Sequence, residues 1–114
     1  MRTLDLADRL WPALVAGEKR ATIRWGEAPI RPGRLRFVRQ DAAASAVVEV
    51  RRVTRMALRE AARFLGREAD WPDDALLAGM REHYPAITLD DTVQVIEHGP
   101  PLRVEPSGGI ARSD

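Results

Sequence analysis

The sequence predicts an α+β fold, a small mixed sheet or barrel with helices beside it. Three observations point there. Short apolar–polar alternations mark strands in the first half of the chain and again near its end. Two helical stretches, over 57–65 and from Pro72 to Pro85, fall together between those strands. Strands and helices therefore do not alternate one for one, as a parallel α/β sheet requires.

The elements follow in order. Leu6, Leu10 and Leu14, with Trp11 and Val15, recur at i, i+4 and predict a short amphipathic helix. Pro12 suits only its first turn, and Gly17 supplies a left-handed stop. Ala21-Thr22-Ile23-Arg24-Trp25 reads as a strand, with Ala21 and Ile23 toward the core. Two prolines and a glycine over 29–33 mark a turn into the next strand. There Leu35 and Phe37 point inward while Arg34 and Arg36 point out. After a small polar turn from Asp41, Ala46–Val50 begins a strand that runs on through Val53. The helix over 57–65 ends at Gly66. The next opens at Pro72, carries Asp73 and Asp74 where the helix dipole favours acids, and shows an apolar stripe of Leu76, Leu77, Met80 and Tyr84. His83 falls in its last turn as a dipole partner, and Pro85 stops it. Asp90-Asp91 marks a turn before a closing strand, Thr92–Ile96. The domain spans 1–98, and residues 99–114 form a Pro/Gly-rich tail, loose or added as an edge element. Ser107-Gly108-Gly109 lacks the strand–helix context of a phosphate loop.

At 114 residues the chain is a single domain with one modest core. Zero cysteines exclude disulfides, cysteine-held zinc and thiol catalysis. His83 and His98 alone make a poor metal set, so neither metal nor cofactor is expected. No apolar run approaches a membrane span, and the start shows no apolar leader; a cytoplasmic location is expected. The net charge of +1 hides an asymmetry. Residues 17–63 carry 12 basic and 5 acidic side chains, whereas residues 64–98 carry 2 and 8. The basic block either attracts an anion or is neutralised by the acidic one.

Of 18 basic residues, 17 are arginine, and Lys19 is the single lysine. Arginine stays protonated, whereas a desolvated lysine can act as a base, so Lys19 stands out. It opens the informative stretch Gly17-Glu18-Lys19-Arg20-Ala21-Thr22-Ile23-Arg24-Trp25. On a continuous strand Lys19 and Thr22 point to opposite faces. They meet only if Lys19 sits in the turn after Gly17 or the strand is bulged. In that case an amine, a hydroxyl and a guanidinium converge. Lys19, its proton loosened by Arg20 or Arg24, would activate Thr22 or a water. Arg24 would hold an anionic or carbonyl group, and Trp25 would stack on a base. Otherwise the stretch is a capped helix, a solvated turn and an edge strand.

Gly17, Lys19, Thr22 and Arg24 match the Gly-x-Lys-x-x-Thr-x-Arg signature of the ASCH domain family, which this chain resembles over roughly residues 3–98. Pro32-Gly33-Arg34-Leu35, Val48 to Thr54 and Tyr84-Pro85 with Thr92–Ile96 are weaker points of likeness. The resemblance implies a PUA-like mixed β-barrel with flanking helices and a cleft beside the signature. It implies RNA or a modified nucleoside as partner. One bacterial branch hydrolyses the acetyl amide of N(4)-acetylcytidine. Carried over from it, Lys19 is the proton acceptor, Thr22 the nucleophile, and Glu68 the proton donor, with Asp70 behind it. Alternatively the chain is a non-catalytic RNA-binding module, in which Arg20, Arg24, Arg34 and Arg36 hold phosphates and Trp25 stacks on a base; a ribonuclease is a third reading.

Overall fold

The structure, a computed structural model, describes residues 1–106; Ser107-Gly108-Gly109 and the rest of the tail lie outside the described residues. Six strands form one mixed sheet: β1 (Arg2–Leu6), β2 (Ala21–Arg24), β3 (Gly33–Arg39), β4 (Ala44–Ala57), β5 (Thr92–His98) and β6 (Arg103–Pro106). Three α-helices accompany them: α1 (Trp11–Val15), α2 (Leu58–Phe64) and α3 (Asp73–Arg81). The strand order is β1-β3-β4-β5-β2, with β6 on β4. β1 runs parallel to β3, and β4 runs antiparallel to β3 and to β6. The chain divides into two compact units. The first holds Met1–Thr22, Ile30–Val53 and the segment from Ile96; the second holds Ile23–Pro29 and Thr54–Val95.

The first unit is built on alternation. β3 buries Leu35 and Phe37 while Arg34 stays exposed, as period two requires. Opposite them, Leu35 pairs with Val48 and Phe37 with Ala46. Leu4, Leu6, Trp11, Leu14, Ile30, Val50 and Ile96 complete this core. The helix expected from Leu6 onward is replaced by three elements: β1, a 3-10 turn at Asp8–Leu10 and the short α1. Leu4 and Leu6 are buried while Thr3 and Asp5 stay exposed, and β1 pairs with β3 from Leu35 to Arg39. The i, i+4 spacing of leucines spans a strand end and a helix, and tertiary pairing overrides it. Pro12 sits in the first turn of α1, where its missing N–H costs nothing. The Pro/Gly-rich segment supplies an added edge strand, β6, after Gly99 N–H and Leu102 N–H bond to the carbonyls of Glu49 (3.0 Å) and Val47 (2.7 Å) on β4.

The second unit packs α2 and α3 over Val93 and Val95, with Leu58, Ala61, Ala62, Leu76, Met80 and Ile87 in its core. α2 has no side-chain cap. Instead Leu58 N–H and Arg59 N–H donate to the carbonyls of Asp91 (2.9 Å) and Leu89 (3.0 Å), which satisfies two of the orphan donors at a helix start. Asp91 holds that loop by accepting from the Thr88 backbone at 2.8 Å. α3 opens after Pro72 with both aspartates in its first turn. It ends at Arg81, short of Pro85, so His83 lies in the following turn rather than in the helix.

Phe37 is fully buried in the first core. Phe37→Ala is expected to destabilise the protein by about 3–5 kcal/mol, because the lost transfer energy and the residual cavity add. Urea unfolding of the two proteins measures the difference directly.

Candidate functional site

The stretch singled out in the sequence begins where α1 stops. Gly17 takes a left-handed φ of 78°, a conformation that side chains with a Cβ adopt at a cost. Beyond it, Glu18 N–H (2.9 Å) and Lys19 N–H (3.1 Å) both return to the carbonyl of Ala13. Lys19 is thereby held in the turn after the helix. Its Nζ donates to the carbonyl of Ala21 at 2.5 Å, and the side chain is half-buried. Arg20 is exposed, and its Nε donates to the carbonyl of Gly17 at 2.5 Å. Thr22 is 7% exposed. Alternation was expected to turn Ala21 and Ile23, not Thr22, toward the interior, yet Thr22 is the least exposed residue of β2. Period two says which residues share a face; which face is covered depends on the packing.

The first unit also contains a group that the sequence reading weighed only as a metal ligand. His98 is 2% exposed at the end of β5. Its backbone N–H donates to the carbonyl of Arg20 at 2.9 Å, and its ring stands edge-on to Phe37 at 5.4 Å. Nδ1 lies 2.8 Å from the carbonyl of Gly99, so it carries the hydrogen there. Nε2 is buried without a partner among the described residues. Burial lowers the imidazole pKa below 6.5; the Gly99 contact opposes this, and the nearby charges of Lys19, Arg20 and Arg51 push it lower still. Arg51 is pressed onto Gly99, where an added Cβ would stand 2.8 Å from a guanidinium nitrogen. Nothing periodic in the sequence marked His98, because Val93–His98 is buried almost throughout. Arg36, expected on the outward face, is half-buried and donates to Ser45 Oγ (3.0 Å) and Glu105 Oε1 (3.1 Å).

In the second unit Arg24 and Trp25 belong to a separate polar cluster. Gly26, at φ 72°, bends the chain after β2 and brings Glu27 back to Arg24, with Nη1 to Oε2 at 3.5 Å. Tyr84 donates its hydroxyl to the same Oε2 at 3.0 Å. Burial, followed by the charge of Glu27 and their hydrogen bond, raises the Tyr84 pKa, so the phenol remains a donor. The Trp25 and Tyr84 rings meet edge to face at 5.9 Å and 88°. Gln94, 6% exposed, ties down the bend by donating to the carbonyls of Glu27 (3.2 Å) and Ala28 (3.3 Å). Sequence reasoning missed Glu27 and Gln94. The available signal was opposite charge at i, i+3 across a glycine.

Glu68 lies in the turn after α2, its side chain 65% exposed, 3.7 Å from Arg63 Nε. Asp70 pairs with Arg67 at 3.1 Å. Among the described residues no three His, Cys, Asp or Glu side chains cluster as a metal site requires. No helix there is long and apolar enough to cross a membrane.

The depressed His98 pKa links folding to pH. Below 6.5 the unfolded chain binds a proton that the folded imidazole refuses, so stability is complete above that pH and falls as pH drops toward the folded value. In this window the slope contributed by one group is at most about 1.4 kcal/mol per pH unit. His98→Phe keeps a ring against Phe37 and is expected to flatten the decline in Tm between pH 7.5 and 5. Thermal melts of both proteins across that range test this.

No family model and no curated protein matches the sequence. Solved structures do match. The ASCH protein from Zymomonas mobilis superposes with a TM-score of 0.64 at 14% identity, covering 93% of this chain and 71% of that one. A serine-to-alanine variant of that protein gives 0.65 at 14% identity, covering 91% and 70%. A tyrosine-to-phenylalanine variant gives 0.65 at 14% identity, covering 91% and 72%. With its mixed sheet and three helices, the chain therefore has the α+β, PUA-like fold of an ASCH protein.

Proposed function

We propose that this protein hydrolyses the acetyl amide of a modified nucleoside such as N(4)-acetylcytidine, using Thr22 as nucleophile and Lys19 as its base. The observation that carries this reading is the position of Lys19. The one lysine of the chain is half-buried in the turn after Gly17, with Nζ on the carbonyl of Ala21. A neutral lysine amine has two N–H bonds and one lone pair. Such an amine can hold a carbonyl and, once it has lost a proton, can take the proton of a nearby hydroxyl.

The chemistry runs as acyl transfer. Thr22 Oγ attacks the acetyl carbonyl carbon while Lys19 takes the hydroxyl proton. The C–N bond then breaks, and the departing nitrogen receives a proton from Lys19 or through the carboxyl of Glu68. Water repeats the sequence on the acetyl ester of Thr22, releasing acetate. Arg20, Arg24 and Arg36 would bind substrate, and Trp25 would stack on its base. The phosphate-binding alternative needs free guanidinium groups. Arg24, Arg34 and Arg36 already face Glu27, Glu49 and Glu105. Of the four arginines in that reading, only Arg20 has no acidic partner among the described residues.

Incubation with N(4)-acetylcytidine is expected to release cytidine and acetate. Lys19→Arg keeps the charge but removes the base, and should lower the rate about a hundredfold or more. Thr22→Ala should do the same, whereas Thr22→Ser should retain part of the activity. A folded wild-type protein that releases no cytidine overturns the proposal, as does full activity in Lys19→Arg.

A further inference from the structure

β6 joins the sheet by one side only. It pairs with β4 and with no other strand among the described residues. Apolar side chains stand open along it: Val104 is 45% exposed, and Leu102, just before the strand, is 54% exposed. An edge of this kind is a template for another chain unless lysines, bulges or prolines block it. Here a proline stands only at the last position, Pro106.

The ladder fixes which backbone groups face outward. The carbonyls of Glu49 and Val47 accept the N–H groups of Gly99 and Leu102, so alternate residues of β4 turn their backbone toward this segment. Arg103 is opposite Val47 and Glu105 is opposite Ser45, and these two therefore direct their backbone groups at β4. In an antiparallel pair the residues between them point the other way. The N–H and C=O of Val104 thus face outward. Pro106, which has no N–H to offer, takes the next outward position. Side chains alternate as well. Arg103 and Glu105 lie on one face, 3.6 Å apart, where Arg36 also reaches Glu105 at 3.1 Å. Val104 lies on the other.

We propose that β6 pairs antiparallel with β6 of a second copy of this chain, about a two-fold axis through Val104. That axis sets Val104 opposite the partner's Val104, and the two exchange both backbone hydrogen bonds. It sets Arg103 opposite the partner's Glu105, and Glu105 opposite the partner's Arg103, so opposite charges meet on one face and apolar groups on the other. An axis through Arg103 or through Glu105 would set like charges opposite each other. Charge therefore selects the register. The contact is isologous and closes as a dimer. With four strand residues a side it is small, so it is weak and reversible, with a dissociation constant on the order of 100 µM. It uses neither Lys19 nor Thr22 and stands apart from the acyl-transfer proposal.

Sedimentation equilibrium of the full chain between about 10 µM and about 1 mM is expected to show monomer and dimer in exchange. The Val104 amide resonance should shift over the same range. Arg103→Glu sets acid opposite acid, and Glu105→Arg sets guanidinium opposite guanidinium. Each variant alone should dimerise at least about tenfold more weakly than wild type. Mixed one to one, the two variants face each other with opposite charges, and association should return. Wild type that stays monomeric at about 1 mM overturns the proposal. So does a dimer in which the Val104 amide does not shift, or a mixture of folded variants that associates no better than its components. If either variant fails to fold, the Val104 shift in wild type decides alone.

Discussion

A single carbonyl oxygen, that of Ala13, organises the turn that carries Lys19, on which the proposed chemistry depends. It accepts the N–H groups of both Glu18 and Lys19. One acceptor thus satisfies two donors where α1 gives way to an extended chain, while Gly17 takes the left-handed conformation that lets the backbone turn. The consequence is directional. Lys19 is fixed at its own backbone nitrogen and again at Nζ, through the carbonyl of Ala21. A side chain with four rotatable bonds loses much of its freedom in this way, and the entropy of positioning an amine is met during folding rather than during a reaction. Arg20 adds a parallel restraint, with its side chain on the carbonyl of Gly17 and its own carbonyl receiving the N–H of His98.

The charge asymmetry resolves into pairs rather than into one field. Arg52–Glu97, Arg59–Asp90 and Arg63–Glu68 join the basic block to the acidic one. Arg24–Glu27, Arg34–Glu49 and Arg39–Asp41 are closed inside the basic block itself. The bidentate Arg52–Glu97 contact is the tightest in geometry, at 2.6 and 3.0 Å. Most of these groups are well exposed, and water screens them, so each contributes little to stability. Their larger effect is on what remains available to a ligand, since a guanidinium already facing a carboxylate is a weaker phosphate grip. The basic composition of residues 17–63 therefore overstates the positive surface open to an anion.

Sequence alone determined the features governed by near neighbours. The glycine stop after α1, the inward Leu35 and Phe37 and the aspartates after Pro72 all follow from residue type and spacing over a few positions, and the structure places them as expected. The tertiary structure decided the rest, because partners far apart in the chain leave no periodic trace. Leu4 and Leu6 became strand rather than helix through a parallel pairing with β3, some 33 positions along. Thr22 was buried by packing that alternation cannot anticipate. Glu27 met the Tyr84 hydroxyl across 57 residues, and His98 was left with a buried, unpartnered nitrogen among charges from two other segments. Local pattern sets which face a side chain takes; only long-range contact determines what that face meets.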